Sequence, residues 1–226
     1  MRSLLALMCL PLLLVTASQA ASPKRDWSQV GTRLPSGTFV IGNPAARIKL
    51  VEYASYTCPH CAAFSAESEP VLANRLVRSG KVSWEVRHWL RDSTDLAAAI
   101  VARCGGGRSF APLTRRIFAE QESWLPRAME WGQANSARIQ MYPVMARLRA
   151  QADGAGLTQI GRAGGLTDAQ LDACFADTQE ADRVAAISAA VPRELPGTPA
   201  FFINGKHVPG ASWAALAPAL RAAGAS

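Results

Sequence analysis

The sequence predicts an α/β domain with strand and helix patterns at both ends and a block of helices inserted between them. Three observations carry this. An apolar run at residues 48–51 leads into a Cys-x-x-Cys pair and a helical pattern, a second strand pattern with an Asn-Gly turn stands at 200–208, and residues 92–191 read as helix. Alternating periodicities of this kind build a sheet covered by helices. At 226 residues, 49% hydrophobic and 18% charged, the chain is long enough for one well-buried domain or a domain with a large insertion.

Residues 1–20 stand apart. Arg2 gives a positive start, 4–15 form an apolar core, and Ser18-Gln19-Ala20 is a small-residue cleavage site. This predicts a secretory signal peptide removed near Ala20, too short for a membrane span of about 20 apolar residues. Cys9 leaves with it, so four of the five cysteines remain, an even number in a compartment where disulfides persist. The formal charge of +7 falls by one with Arg2. The basic residues are scattered, without a dense run or aromatic interleaving, which reads as a solvated surface and argues against a nucleic-acid partner.

Residues 21–37 are polar and weakly patterned apart from Trp27 and Val30, and read as a lead-in. A short strand at 38–41 is stopped by Gly42-Asn43-Pro44, and the strand from Ile48 follows. That strand delivers Cys58-Pro59-His60-Cys61 to the start of a helix. Pro59 suits the first helical turn, where its missing N–H is no loss. Cys58 then sits among unsatisfied backbone N–H groups at the positive end of the helix, which favours its thiolate. Cys61, three residues on, shares that face, so the two sulfurs can close a small disulfide. Stabilising one thiolate stabilises the reduced pair and makes the disulfide a stronger oxidant. His60 adds a partial positive charge. A zinc site would need about four ligands, commonly a second close pair, whereas Cys104 and Cys174 stand alone, so no metal is expected.

The helix from Pro59 carries Phe64, Val71, Leu72, Leu76 and Val77, with a kink expected at Pro70 and a stop at Gly80. Residues 82–90 read as a strand, and the lone His88 within it as a packed residue. In the helical block, Ser93 or Thr94 caps a run through Cys104, and Gly105-Gly106-Gly107 ends it. Further helices are expected at 110–120 and at 128–152, the latter interrupted by Gly132 and Pro143. A loop follows at 161–165, then a capping box from Thr167 to Gln170, and Asp177 opens another helix. Trp124 and Trp131 read as inter-helix contacts. Beyond the block come a strand, the Asn204-Gly205 turn, a second short strand ended by Pro209, and an amphipathic helix at 212–222.

Cys58-Pro59-His60-Cys61 after a strand resembles the thioredoxin superfamily, and its Pro-His pair resembles the DsbA family of bacterial envelope oxidoreductases. Gly-Thr-Pro-x-Phe-Phe-Ile-Asn-Gly-Lys at 197–206 resembles the same branch, so the likeness spans roughly 38–222. It implies a thioredoxin fold, a central mixed sheet flanked by helices, formed by 38–91 and 192–226, with 92–191 as an inserted helical domain. It also implies an exported, periplasmic thiol:disulfide oxidoreductase that introduces disulfide bonds into reduced or unfolded envelope proteins. The Cys58–Cys61 disulfide carries the electrons without a separate cofactor, and a quinone-linked membrane protein of the DsbB type reoxidises it. Related isomerases carry a dimerisation domain before the redox domain; none fits here, so a monomer is expected.

The resemblance assigns residues as well. Cys58 is the exposed nucleophile and Cys61 the shielded partner. Glu52, six residues before Cys58, matches a buried acid that relays a proton to Cys61, although spacing alone leaves it equally a solvent-facing strand residue. Pro199 is expected to be cis and to face the cysteines, with the backbone of Thr198 open to a substrate strand; from the dipeptide alone a trans proline would be favoured. Thr198 replaces the valine of the best-known oxidase and is shared with isomerases and with other DsbA-like branches. Cys104 and Cys174 are expected to pair, from parity and export and from cysteines at corresponding places in this branch, with two buried free thiols as the alternative. Two other functions stay open: an isomerase or reductase of the same fold, and a non-enzymatic module holding copper or another soft metal through Cys58, Cys61 and His60.

Overall fold

The computed structural model describes residues 25–225; the expected signal peptide, with Arg2 and Cys9, lies outside the described residues. Six strands form one mixed sheet: β1 (Gly31–Arg33), β2 (Phe39–Gly42), β3 (Ile48–Ala54), β4 (Val82–His88), β5 (Ala200–Ile203) and β6 (Lys206–Val208). Their order is β1-β2-β4-β3-β5-β6. Only β3 and β4 run parallel, with Leu50 opposite Trp84 and Glu52 opposite Val86. The other neighbours are antiparallel, and Glu52 faces Phe201 across β5.

Alternation along β3 divides its side chains between two faces. Ile48, Leu50 and Ala54 join Trp84, Val86, Phe64 and Phe201 in the main core, while Tyr53 packs with Leu195 and Ala200 in a smaller cluster on the other side. Glu52 belongs to the first face and is therefore carried into the main core.

α1 (Pro59–Ser68) runs without a break into a π-helical stretch, Glu69–Val77. Pro70 produces this register change in place of a sharp kink. Its missing N–H removes one i→i−4 bond, and the backbone goes on with wider bonds such as Arg78 N–H to Ala73 O, 3.1 Å. Between β4 and β5 lie α2 (Ser93–Arg103), α3 (Gly106–Ala119), α4 (Gln121–Ile139), α5 (Val144–Ala155), α6 (Leu157–Ala163), α7 (Asp168–Ala176) and α8 (Thr178–Ala189); α9 (Trp213–Ala222) follows β6. Trp124, wholly buried, donates its indole N–H to Ile117 O at 2.8 Å and locks α4 to α3. The sulfurs of Cys104 and Cys174 are bonded across α2 and α7, 70 residues apart in sequence.

Several boundaries differ from the sequence expectation. Asp92, not Ser93 or Thr94, caps α2 by accepting from Asp95 N–H at 2.8 Å. Gly132 lies inside α4, because a glycine costs a helix only about 1 kcal/mol when its neighbours are good formers. Gly161 lies inside α6, and the expected loop shrinks to the turn after it. The capping box of Thr167 with Gln170 and the Asn204-Gly205 turn form where the sequence places them, with φ +50° at Asn204 and +80° at Gly205.

The lead-in holds a strand that the sequence pattern does not reveal, β1, and the glycine run at 105–107 explains why. A Cβ on Gly31 would stand 2.2 Å from the Gly107 carbonyl oxygen, and one on Gly107 would stand 2.1 Å from that of Gly31. The two backbones touch. Gly107 therefore serves this close approach at the start of α3 and does not simply end α2. Replacing Gly31 by Ala forces β1 and α3 apart and is expected to lower the unfolding free energy by about 2 kcal/mol in urea titration; unchanged stability would contradict the contact.

Candidate active site

The turn from β3 into α1, residues 55–58, presents the cysteine pair. Cys58 is the N-cap of α1 in extended conformation, and Pro59 fills the first helical position. Cys58 O accepts from Cys61 N–H at 3.1 Å and Ala62 N–H at 3.3 Å, closing the first turn. Both cysteines are thiols here. Cys61 is fully buried, and Cys58, expected to be the exposed partner, is itself only 4% exposed. Its sulfur is reached through an open pocket of ≈ 400 Å³ lined by Cys58, Pro59, His60, Trp89, Arg91, Gly197 and Thr198.

The turn is held from the helical block. Asp95 of α2, 1% exposed, accepts from Ser55 Oγ at 2.5 Å, Tyr56 N–H at 2.8 Å and Arg91 N–H at 3.2 Å. Burial pushes its carboxyl up to about 6, against the hydrogen bonds from Ser55, Tyr56 and Arg91 that favour the ionised form. The Tyr56 hydroxyl pairs with Thr114 Oγ1 of α3 at 2.8 Å, and Gln121 of α4 donates to the carbonyls of Tyr56 and Cys58. Arg91 donates to Thr57 O at 3.2 Å. Sequence reasoning missed Asp95, Gln121, Trp89 and Arg91. Asp95 and Gln121 act because a distant helical segment folds over the turn, their only local signal being a polar residue among apolar helix neighbours, whereas Trp89 and Arg91 reach the site from the connection that follows β4.

The two sulfurs are driven in opposite directions. Cys58 is lowered to about 4, first by a hydrogen bond from the Cys61 thiol, with further support from the Thr198 side chain and the backbone N–H groups of Cys61 and His60, against partial burial. Cys61 is pushed well above the thiol range by burial, by Cys58 and by the nearby Glu52 carboxylate. His60 contributes its backbone N–H, and its imidazole is exposed.

Glu52 is 1% exposed, so the solvent-facing alternative does not hold. Its Oε2 accepts from the Trp84 indole N–H at 2.9 Å, while Oε1 has no partner. Burial, outweighing the Trp84 bond and aided by Cys58, raises it to about 8. The Thr198–Pro199 peptide is cis, as the resemblance implies, and brings Thr198 O to 3.3 Å from Cys58 Sγ, where the thiol donates to it. His88 is a buried core histidine, tilted against the Tyr56 ring and edge-on to Phe110, and held far below its ordinary value by burial and Arg103.

These features define a thioredoxin-type redox site, and the chain belongs to the thioredoxin family: the family model described as Thioredoxin matches residues 35–221. Among solved structures, the protein-disulfide isomerase of Novosphingobium aromaticivorans is 33% identical, with a TM-score of 0.73 over 81% of this chain and 95% of that one. The alpha-DsbA1 of Wolbachia pipientis, 24% identical with a TM-score of 0.58 over 75% of each chain, shares the fold. Relatives in Rickettsia bellii and Rickettsia conorii, 28% and 30% identical across 81% and 78% of this chain, carry the provisional name protein-disulfide oxidoreductase. The chain spans about three fifths of their length, 63% and 57%.

The position of Glu52 has a consequence for stability. Below pH 4.5 both folded and unfolded chains keep its proton, but between 4.5 and about 8 the unfolded chain gives it up while the folded chain holds it, so stability falls as pH rises. Glu52→Gln removes that loss. Compared with wild type, the reduced variant is expected to gain roughly 4 kcal/mol on going from pH 4 to pH 8 in urea titrations; parallel pH profiles would contradict a buried acid at this position.

Proposed function

We propose that the chain is a thiol:disulfide oxidoreductase that works as an exported dithiol oxidase on reduced envelope proteins. The observation that carries the reading is the opposed acidity of the pair, with Cys58 ionised at neutral pH and Cys61 protonated. In the oxidised enzyme a substrate thiolate attacks Cys58 Sγ. The Cys58–Cys61 bond breaks, and Cys61 leaves with its electron pair and takes a proton from Glu52, which holds one near neutral pH because it titrates at about 8. A second substrate thiolate then attacks the substrate sulfur of the mixed disulfide and releases Cys58 as its stable thiolate. Two electrons have moved to the pair, and the substrate holds a disulfide.

In the oxidised pair Cys58 has no S–H to donate to Thr198 O, which leaves that carbonyl open to an N–H of an extended substrate chain. The pocket beside it, walled by Trp89, Arg91 and His60, receives side chains next to the substrate cysteine. Reoxidation falls to a membrane partner of the DsbB type, the protein acts as a monomer, and residues 1–20 direct it to the periplasm.

An isomerase is the second reading. The name of the Novosphingobium relative favours it, as does Thr198, whose hydroxyl lies beside the sulfur. The reduction potential separates the two. An oxidase is expected nearer the roughly −120 mV of a strong disulfide donor than the roughly −270 mV of a reductant, and a value at the lower end would overturn the oxidase reading. Glu52→Gln is expected to slow exchange with a dithiol peptide by at least about tenfold at pH 7; a wild-type rate would remove Glu52 from the relay.

A further inference from the structure

Among the side chains that hold the turn, Gln121 alone joins two of its carbonyls. It is the first residue of α4, 3% exposed, and its Nε2 donates to Tyr56 O at 2.7 Å and to Cys58 O at 3.0 Å. Both partners are pure acceptors, so only the NH2 end of the amide fits, and chemistry fixes its orientation. Cys58 O is the same oxygen that closes the first turn of α1 through Cys61 N–H and Ala62 N–H. The backbone N–H groups of His60 and Cys61, which help to hold the Cys58 thiol low, belong to that turn.

We infer that Gln121 is a positioning residue for the redox pair: by anchoring the Tyr56 and Cys58 carbonyls it aims the first N–H groups of α1 at the Cys58 sulfur and offsets the carbonyl dipole of Cys58 itself. The helical block thereby sets how readily Cys58 reacts. A residue needed only to fill the space under the turn would be apolar, whereas a buried amide with both N–H bonds spent on one turn restrains its backbone. Loss of the donor acts in one direction by two routes. The Cys58 carbonyl keeps its bonds from Cys61 N–H and Ala62 N–H but loses its third donor, so more of its negative potential reaches the thiolate, and the turn is freer to rotate its N–H groups away from the sulfur. Each raises the acidity constant's midpoint and makes the disulfide a weaker oxidant.

The inference rests on Cys58 being the reactive sulfur, so the test begins with wild type. Reduced wild-type protein and Gln121→Met, which keeps length and volume and removes the donor, are titrated by thiolate absorbance and equilibrated with glutathione at pH 7. The Cys58 acid dissociation constant is expected to fall about three- to tenfold in the variant, and the equilibrium constant for reduction by glutathione to fall by a similar factor. A variant that is less stable but titrates and equilibrates like wild type would show that Gln121 only supports the fold, and would overturn the proposal. If Gln121→Met does not fold, the side-chain NH2 of Gln121 is followed by NMR in wild type. Slow hydrogen exchange and a shift that tracks the Cys58 titration support the role, and rapid exchange with no such shift rejects it. Wild-type Cys58 titrating in the ordinary thiol range would instead remove the redox reading itself, an outcome distinct from equal behaviour of the two proteins.

Discussion

The structure depends on how the four-residue turn between β3 and α1 satisfies its backbone while burying two cysteines. A buried N–H or C=O without a partner costs about 1–3 kcal/mol, and this turn has no strand neighbour to supply partners. The helical block, with Arg91 just ahead of it, supplies them. Asp95 takes Ser55 Oγ and Tyr56 N–H, Gln121 takes two carbonyls, Arg91 takes Thr57 O, and Thr114 holds the Tyr56 hydroxyl. The inserted helices are thus the other wall of the site, and the packing of Trp124 and the Cys104–Cys174 bond stiffen that wall.

Two opposing effects decide which cysteine reacts. Burial disfavours a thiolate at both positions, but Cys58 collects donors: the Cys61 thiol, the Thr198 side chain and the first N–H groups of α1. Cys61, one turn deeper, meets burial without those donors, and Glu52 opposes its ionisation further. The same core that denies Cys61 its charge also denies it to Glu52, whose single hydrogen bond from Trp84 does not offset desolvation. Glu52 is therefore a carboxyl kept protonated near neutral pH, within electrostatic reach of Cys61.

Much of this was legible in the sequence because it is local. Strand, cysteine pair, Pro59 and helix lie within one short stretch, and the Asn204-Gly205 turn and the Thr167 capping box obey short-range rules. Glu52 was ambiguous because alternation along β3 gives two faces and nothing local says which is buried; pairing with Trp84 on β4 decides it. β1 was hidden because three residues have no readable period, and its existence rests on a backbone contact between Gly31 and Gly107. Asp95 and Gln121 reach the turn from helices 37 and 63 residues beyond Cys58 in sequence, across contacts that only the packed tertiary structure makes.

This turn, not the bare dipeptide between the cysteines, makes Cys58 a stable thiolate. The most direct measurement is the ultraviolet thiolate absorbance of the reduced full chain against pH, with Cys58→Ser as the reference. A single thiolate with its midpoint near 4 is expected, absent from Cys58→Ser, with no second thiolate from Cys61 up to about pH 9. A midpoint at the ordinary thiol value, about 8.5, or two thiolates appearing together, would contradict it.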